Sequence, residues 1–284
     1  MRVTHSRRAL LDLLDRHHLA PSRALGQNFV ADANTVRRIA RLAAVGPGDR
    51  VVEIGAGLGS LTLALADTGA AVTAVEVDRY VLPVLRDVVA GRDIRVVEAD
   101  ARDIDWTALL VEGCGDTGAW VLVANLPYNV ATTLVLDVAE RAPRVGRMLV
   151  LVQREVAERL AASPGGRDYG LPSAKLGWWA EARLVGTVPA SVFVPRPRVE
   201  SALLAVARHE PLGGAAERRA TFRLVDAAFG QRRKMLRRSL AGVVPPAAFE
   251  AAAVDPAARA EQLGPRDWLR LSGATAQLAD GAPC

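Results

Sequence analysis

The sequence predicts a doubly wound, mostly parallel α/β sheet followed by a smaller all-helical part. Three observations predict it. Short apolar runs alternate with helical patterns between residues 51 and 153, each run closes on a polar residue or a turn, and the first leads straight into a glycine-rich turn. Alternation of this kind lays strands side by side with crossover helices on both faces, and such sheets bind ligands beyond the carboxyl ends of their strands.

The first strand, residues 51–54, passes into Gly55-Ala56-Gly57-Leu58-Gly59-Ser60. Glycines at 55, 57 and 59 let the backbone turn tightly and come close to a ligand, and free N–H groups gather at the following helix start. The dinucleotide fingerprint wants its third glycine one residue later, where Ser60 stands. Taken alone, the turn is equally a plain strand-to-helix connection. Further apolar runs end at Glu76 (71–76), at Asp100 (94–100), at Asn125-Leu126-Pro127-Tyr128 (120–124) and at Gln153 (148–152), with helical patterns over 61–66, 80–89 and 131–139.

Glu76 can accept the ribose hydroxyls of an adenosine, and Asp100 can accept from its adenine amino group. Each acid taken singly is also an ordinary loop residue or helix cap, and a nicotinamide enzyme would use Glu76 as well. The fourth strand end discriminates. Asn125 offers a side-chain carbonyl, Leu126 a backbone carbonyl held extended by the following proline, and Tyr128 an aromatic face. These suit the exocyclic amine of a flat base, whose lone pair two acceptors can draw out of conjugation. The bland alternative is a turn with Tyr128 packed beneath it.

These residues belong to an ordered series: Leu25-Gly26-Gln27-Asn28-Phe29-Val30, the turn from Glu53 to Gly59, Val75-Glu76-Val77-Asp78, Glu98-Ala99-Asp100, Asn125 to Tyr128, Gln153 to Ala157, Tyr169-Gly170 and Val192 to Ser201. In them the chain resembles the adenine-N6 ribosomal RNA dimethyltransferases, and most of all the bacterial 16S rRNA dimethyladenosine transferases. The resemblance implies a Rossmann-like methyltransferase sheet over 1–210, including an N-terminal arm, and a helical RNA-binding domain over 211–284. It implies S-adenosyl-L-methionine as cofactor. The implied reaction is methyl transfer to N6 of two adjacent adenines near the 3′ end of 16S rRNA in an immature small ribosomal subunit. Asn28 and Val30 would close over the cofactor, Gly55 and Gly57 would form its cradle, Glu76 would hold the ribose and Asp100 the adenine. Asn125 would hold the reactive amine, Tyr128 and Phe193 would sandwich the base, and Glu53 would orient the turn or the cofactor amino group. The chain departs from the usual pattern at Val30, Ala56, Arg196 and Arg198, none of which carries a catalytic role. A 23S rRNA resistance methyltransferase and a non-catalytic ribosome-assembly factor of the same fold are the competing readings, and the tail over 254–263 resembles the 16S enzymes more.

Composition agrees. The 284 residues are 50% hydrophobic and 24% charged, as in globular proteins, and no apolar run is long enough to span a membrane. The start lacks the apolar core of a signal peptide, and Cys114 and Cys284 lack metal-ligand spacing, so a reducing cytoplasm and no metal are expected; a monomer is expected as well. Net charge is +5, with lysine only at 175 and 234. Cations concentrate from Arg218 to Arg238. As a helix, the stretch holding Arg232, Arg233, Lys234, Arg237 and Arg238 would array them for RNA phosphates while Phe229, Met235, Leu236 and Leu240 pack; a solvated helix face is the plainer reading. Residues 273–284 are expected to fray.

Overall fold

A computed structural model describes residues 6–111 and 119–280. Cys114 and Cys284 lie outside the described residues. In chain order the elements are α1 (Arg7–Arg16), β1 (Phe29–Val30), α2 (Ala33–Ala43), β2 (Arg50–Ile54), α3 (Ser60–Ala66), β3 (Ala71–Glu76), α4 (Leu82–Val89), β4 (Ile94–Glu98), α5 (Trp106–Val111), β5 (Trp120–Asn125) and α6 (Ala131–Arg141). They continue as β6 (Val145–Gln153), α7 (Arg154–Leu160), α8 (Leu171–Leu176), β7 (Ala180–Val188), β8 (Phe193–Val194), β9 (Ser201–Arg208), α9 (Ala215–Phe229), α10 (Leu236–Ser239), α11 (Pro246–Ala251) and α12 (Pro265–Asp280).

The main sheet has the order β4-β3-β2-β5-β6-β9-β7. Strands β4 to β6 run parallel, and β9 returns antiparallel along β6. Chain order reverses between β2 and β5, so the crevice that parallel sheets offer to ligands opens over Gly55 and Asn125. The central strands β2 and β5 are buried almost end to end, which is what helices on both faces demand. On one face Val36, Ile39, Ala40 and Ala43 of α2, spaced as one helical stripe, pack with Leu61 and Leu65 of α3 over Val51, Val121 and Leu149. Asp32 caps α2 by accepting the Thr35 N–H at 2.6 Å, and Arg147 of β6 donates to the carbonyls of Ala43 and Ala44 at its other end.

The chain divides into two compact units, one of Met1–Ala157 with Arg183–Ala207 and the other of Glu158–Ala182 with Arg208–Cys284. The second takes in a segment that lies before the boundary placed at 210 from the sequence. Tyr169 explains why: it is 1% exposed in that unit's core with Leu224, Phe249, Trp268 and Leu271, and its hydroxyl donates to the Leu263 carbonyl at 3.0 Å. Trp178 and Trp179 meet the ring of Phe222 edge-on at 5.8 and 5.5 Å. Residues 273–280 are not frayed, because α12 runs on to Asp280 with Trp268, Leu271 and Ala274 on its buried side. Among the described residues, no helix is long and apolar enough to cross a membrane.

Candidate active site at the strand ends

The glycine turn is built by its own backbone constraints. Gly55, Gly57 and Gly59 sit at φ of +72°, +56° and +80°, where a side chain is strained. The N–H groups of Gly55 and Ala56 donate to the Val75 carbonyl at 2.9 and 3.2 Å, so the turn is stitched to the end of β3. A Cβ on Gly57 would lie 2.9 Å from Phe29 Cε1, whereas one on Gly55 would approach nothing nearer than the Asn125 carbonyl oxygen at 3.8 Å. Gly57 is therefore required by packing. Gly55 instead leaves its backbone bare to the crevice.

Glu76 finishes the turn. Its Oε2 accepts the Gly57 N–H at 2.7 Å, and Oε1 accepts those of Val77 and Asp78 at 3.0 and 2.9 Å. Burial raises its pKa, and these three donors hold the rise down. Glu53, on the neighbouring strand, is 1% exposed, and among the described residues its Oε2 has no hydrogen-bond partner. Burial pushes its carboxyl up to about 8, with the Thr62 hydroxyl opposing and the Glu76 charge reinforcing the rise. At neutral pH Glu53 is mostly a neutral acid beneath the turn.

Two recesses open here and share Leu25, Gly55, Val77 and Pro127. One of about 80 Å³ is bounded by Asn28, Gly57, Glu76 and Asn125, and the other, about 130 Å³, by Ile54, Val75, Asp100, Arg102 and Asn129. A larger hollow of about 630 Å³ lies in the second unit among Leu160, Tyr169, Ser173, Gly177, His209 and Arg266. None of the site residues read from the sequence lines it.

Asn125, which lines the smaller recess, donates from Nδ2 to the Asn28 carbonyl at 2.8 Å, and among the described residues its Oδ1 has no hydrogen-bond partner. The strap carrying Asn28 is tied down by Gln27, whose Nε2 donates to Asp78 Oδ2 at 2.8 Å and whose Oε1 accepts the Ser22 N–H at 2.8 Å. Half-buried Tyr128 has its hydroxyl 2.9 Å from Ser201 Oγ, and burial raises its pKa. Asp100 is engaged on both oxygens by Arg102, with Nε at 3.0 and 3.1 Å and Nη2 at 2.5 Å; those bonds hold its pKa low. Arg141 steadies this loop by donating to the carbonyls of Arg102 and Ile104 at 3.3 and 3.1 Å.

The structure thus gathers Asn28, Glu53, Gly55, Gly57, Glu76, Asp100, Asn125 and Tyr128 in one unit, but three expectations need correction. Val30 is 6% exposed and pairs across a short antiparallel ribbon with Phe193, so it packs in the core and lines neither recess. Phe193 is 0% exposed in the same core, so its ring presents no free face to a base. The cationic stretch is not a helix of two turns. Helix α9 stops at Phe229, residues 230–234 turn, Met235 forms an isolated bridge to Arg259 and is 40% exposed, and only the four residues of α10 follow. Gly230 favours the break, and Leu236 and Leu240 are the residues that pack. Arg232 is turned to structural use, donating to the carbonyls of Arg167 and Tyr169 at 3.2 and 2.9 Å and lying 3.5 Å from Glu261, while Arg233, Lys234, Arg237 and Arg238 are exposed. Gln27, Asp78, Arg102 and Ser201 shape the site, although nothing in their residue type announces it. Only their position inside the motif segments or beside a strand end could have drawn attention to them.

A family model described as ribosomal RNA adenine dimethylase matches residues 21–277. The ribosomal RNA small subunit methyltransferase A of Kineococcus radiotolerans is 49% identical over 94% of this chain and 90% of its own length. The protein of the same description from Cutibacterium acnes is 47% identical over 93% of this chain and 92% of its own. Among solved structures, the 23S rRNA methyltransferase ErmE matches with TM-score 0.65 and 28% identity over 88% of this chain and 100% of its own. A Plasmodium falciparum dimethyladenosine transferase shares the fold with TM-score 0.70 at 22% identity, covering 84% of this chain and 94% of its own.

Two outcomes are expected. Phe193→Ala should cost about 3–5 kcal/mol in denaturant unfolding, as for other buried aromatic truncations, while Phe193→Leu keeps near-native stability; an Ala variant of undiminished stability would return the ring to the surface. Glu53 carries a proton in the folded chain that the unfolded chain, with an ordinary carboxyl at 4.5, has released. Its contribution is therefore full below pH 4.5 and lost as pH rises toward 8. Relative to wild type, Glu53→Gln should gain stability from pH 5 to pH 8, by something on the order of a few kcal/mol, and a flat difference would refute the neutral acid.

Proposed function

The chain belongs to the ribosomal RNA adenine dimethylase family, and from that premise we propose how its own residues carry out the reaction on an immature small ribosomal subunit. The activity is transfer of methyl groups from S-adenosyl-L-methionine to N6 of two adjacent adenines near the 3′ end of 16S rRNA. The observation that carries the residue assignment is the Asn125 side-chain amide, one N–H of which is spent on the Asn28 carbonyl and whose oxygen has no hydrogen-bond partner among the described residues, in a recess that Gly55 also lines.

The strand ends fit the cofactor. Gly55 and Gly57 provide a cradle without side chains, and Glu76 at the end of β3 and Asp100 two residues past the end of the adjacent β4 stand as acceptors. A carboxylate has about four acceptor positions, and Glu76 spends three of them on backbone N–H groups. It retains room for one ribose hydroxyl, on Oε2. Asp100 is saturated by Arg102, so the guanidinium has to swing aside before an adenine amino group can reach it. When bound, S-adenosyl-L-methionine supplies an electrophilic methyl group on a sulfonium.

What remains for the protein is positioning. Asn125 Oδ1 and the Leu126 carbonyl accept from the two N6 hydrogens, drawing the nitrogen lone pair out of the ring toward the methyl group, and Tyr128 stacks on the base. Phe193 supports this from below through β8 rather than by stacking. Exposed Arg233, Lys234, Arg237 and Arg238 hold RNA phosphates, and the enzyme works as a cytoplasmic monomer.

Purified protein should methylate unmethylated small subunits and leave unmethylated large-subunit RNA untouched. The Asn125→Ala variant should lose most turnover, roughly 100-fold or more, while binding cofactor nearly as well as wild type. Wild-type turnover in that variant would remove Asn125 from the chemistry. Affinity for the subunit should fall with salt, and Arg233→Gln with Arg237→Gln should flatten that dependence by roughly 0.7–0.9 for each phosphate no longer neutralised, with cofactor binding unchanged; an unaltered slope would make the cations a solvated surface.

A further inference from the structure

Tyr128 leaves the sheet on the turn after β5, whose backbone is held by the Leu126 N–H to the Leu151 carbonyl at 3.0 Å and the Val130 N–H to the Pro127 carbonyl at 3.2 Å. Such a turn fixes a Cβ but not a ring. The far end of the ring is held from a segment remote in sequence: Tyr128 Oη lies 2.9 Å from Ser201 Oγ. Ser201 is the first residue of β9, is 0% exposed, and pairs in register with Gln153 at the end of β6. It stands in an otherwise apolar run, with Ala202, Leu203 and Leu204 each 0% exposed. A buried hydroxyl there needs a partner, and a rigid strand start makes a fixed post for one.

We propose that Ser201 is a positioning residue, whose hydroxyl fixes the tilt of the Tyr128 ring so that its face is set for the target adenine before RNA arrives. Both ends of the ring are referenced to one strand, because Asn125 pairs with Leu151 and Ser201 with Gln153 on β6. The acceptor at Asn125 and the stacking face at Tyr128 therefore move as one piece. A ring free at its hydroxyl end would sample other tilts and lose part of the alignment that makes a bound base reactive. The inference rests on the stacking role given to Tyr128 above.

The test is a double-mutant cycle of single-turnover methylation on unmethylated small subunits, using wild type, Ser201→Ala, Tyr128→Phe and the double variant. Each single change should slow methyl transfer by roughly 5- to 30-fold, the range for one lost hydrogen bond in a preorganised site, with the cofactor Kd unchanged by calorimetry. The double variant should be no slower than the slower single one. Multiplying rate losses, or a Ser201→Ala enzyme as fast as wild type, would overturn the proposal. Tyr128→Phe removes the same bond without touching the buried serine, so it answers the question if Ser201→Ala fails to fold. Tyr128→Ala separates the two levels: a fully active enzyme would sink the stacking reading, whereas an inactive one beside wild-type rates in Ser201→Ala and Tyr128→Phe would sink the role of Ser201 alone.

Discussion

The carboxyl ends of the sheet depend on one buried carboxylate that is used as a backbone acceptor. Glu76 binds one N–H of the glycine turn and two at the exit of its own strand, so β2 and β3 end as a single rigid piece. Burying a carboxylate costs several kcal/mol unless donors replace its water, and three aligned N–H groups supply that replacement. The arrangement is possible because Gly57 lacks a Cβ that would strike Phe29. It also constrains its neighbour. Glu53, on the strand that leads into the turn, has no hydrogen-bond partner for Oε2 among the described residues, and staying protonated spares the site a second buried charge.

Around this piece, the site is assembled by side chains reaching across long stretches of sequence. Asn125 takes its orientation from a carbonyl 97 residues away, and Tyr128 from a hydroxyl 73 residues away. The strap bearing Asn28 is itself held by Gln27 to Asp78, two residues past the Glu76 carboxylate. Binding groups and supports therefore share one framework, which is how a site reaches the angular precision that positioning chemistry needs. Asp100 is the exception. Its partner Arg102 is two residues away on an exposed loop, and a ligand can exchange with it at small cost.

The second unit solves a different problem. Its helices are short apart from α9 and α12, and they gather on Tyr169, Phe249 and Trp268, with rings of Tyr169 and Trp268 each 6.3 Å from Phe229. Arg232 is drawn into that structure to satisfy the carbonyls of Arg167 and Tyr169. Cations that look equivalent along the chain are thus divided between holding a loop and facing solvent.

Residue order alone dictates the parallel sheet, the glycine turn and the strand-end residues Glu76, Asp100, Asn125 and Tyr128. Those features are local: apolar runs must be buried, a tight turn needs glycine at positive φ, and a strand that ends in a parallel sheet points its next residue at the crevice. Strands β1 and β8 were not legible in this way, since two residues carry no periodicity, and neither was the burial of Val30 and Phe193 that their pairing imposes. The break of the cationic stretch at Gly230 and the reach of the helical unit back to Glu158 were set by what packs around Tyr169 and Trp268. Which oxygen of Glu76 keeps a spare acceptor position, which hydroxyl holds Tyr128 and which arginine occupies Asp100 emerge from the folded arrangement, because a hydrogen bond depends on two groups meeting at about 3 Å and the chain order of those groups does not encode that distance.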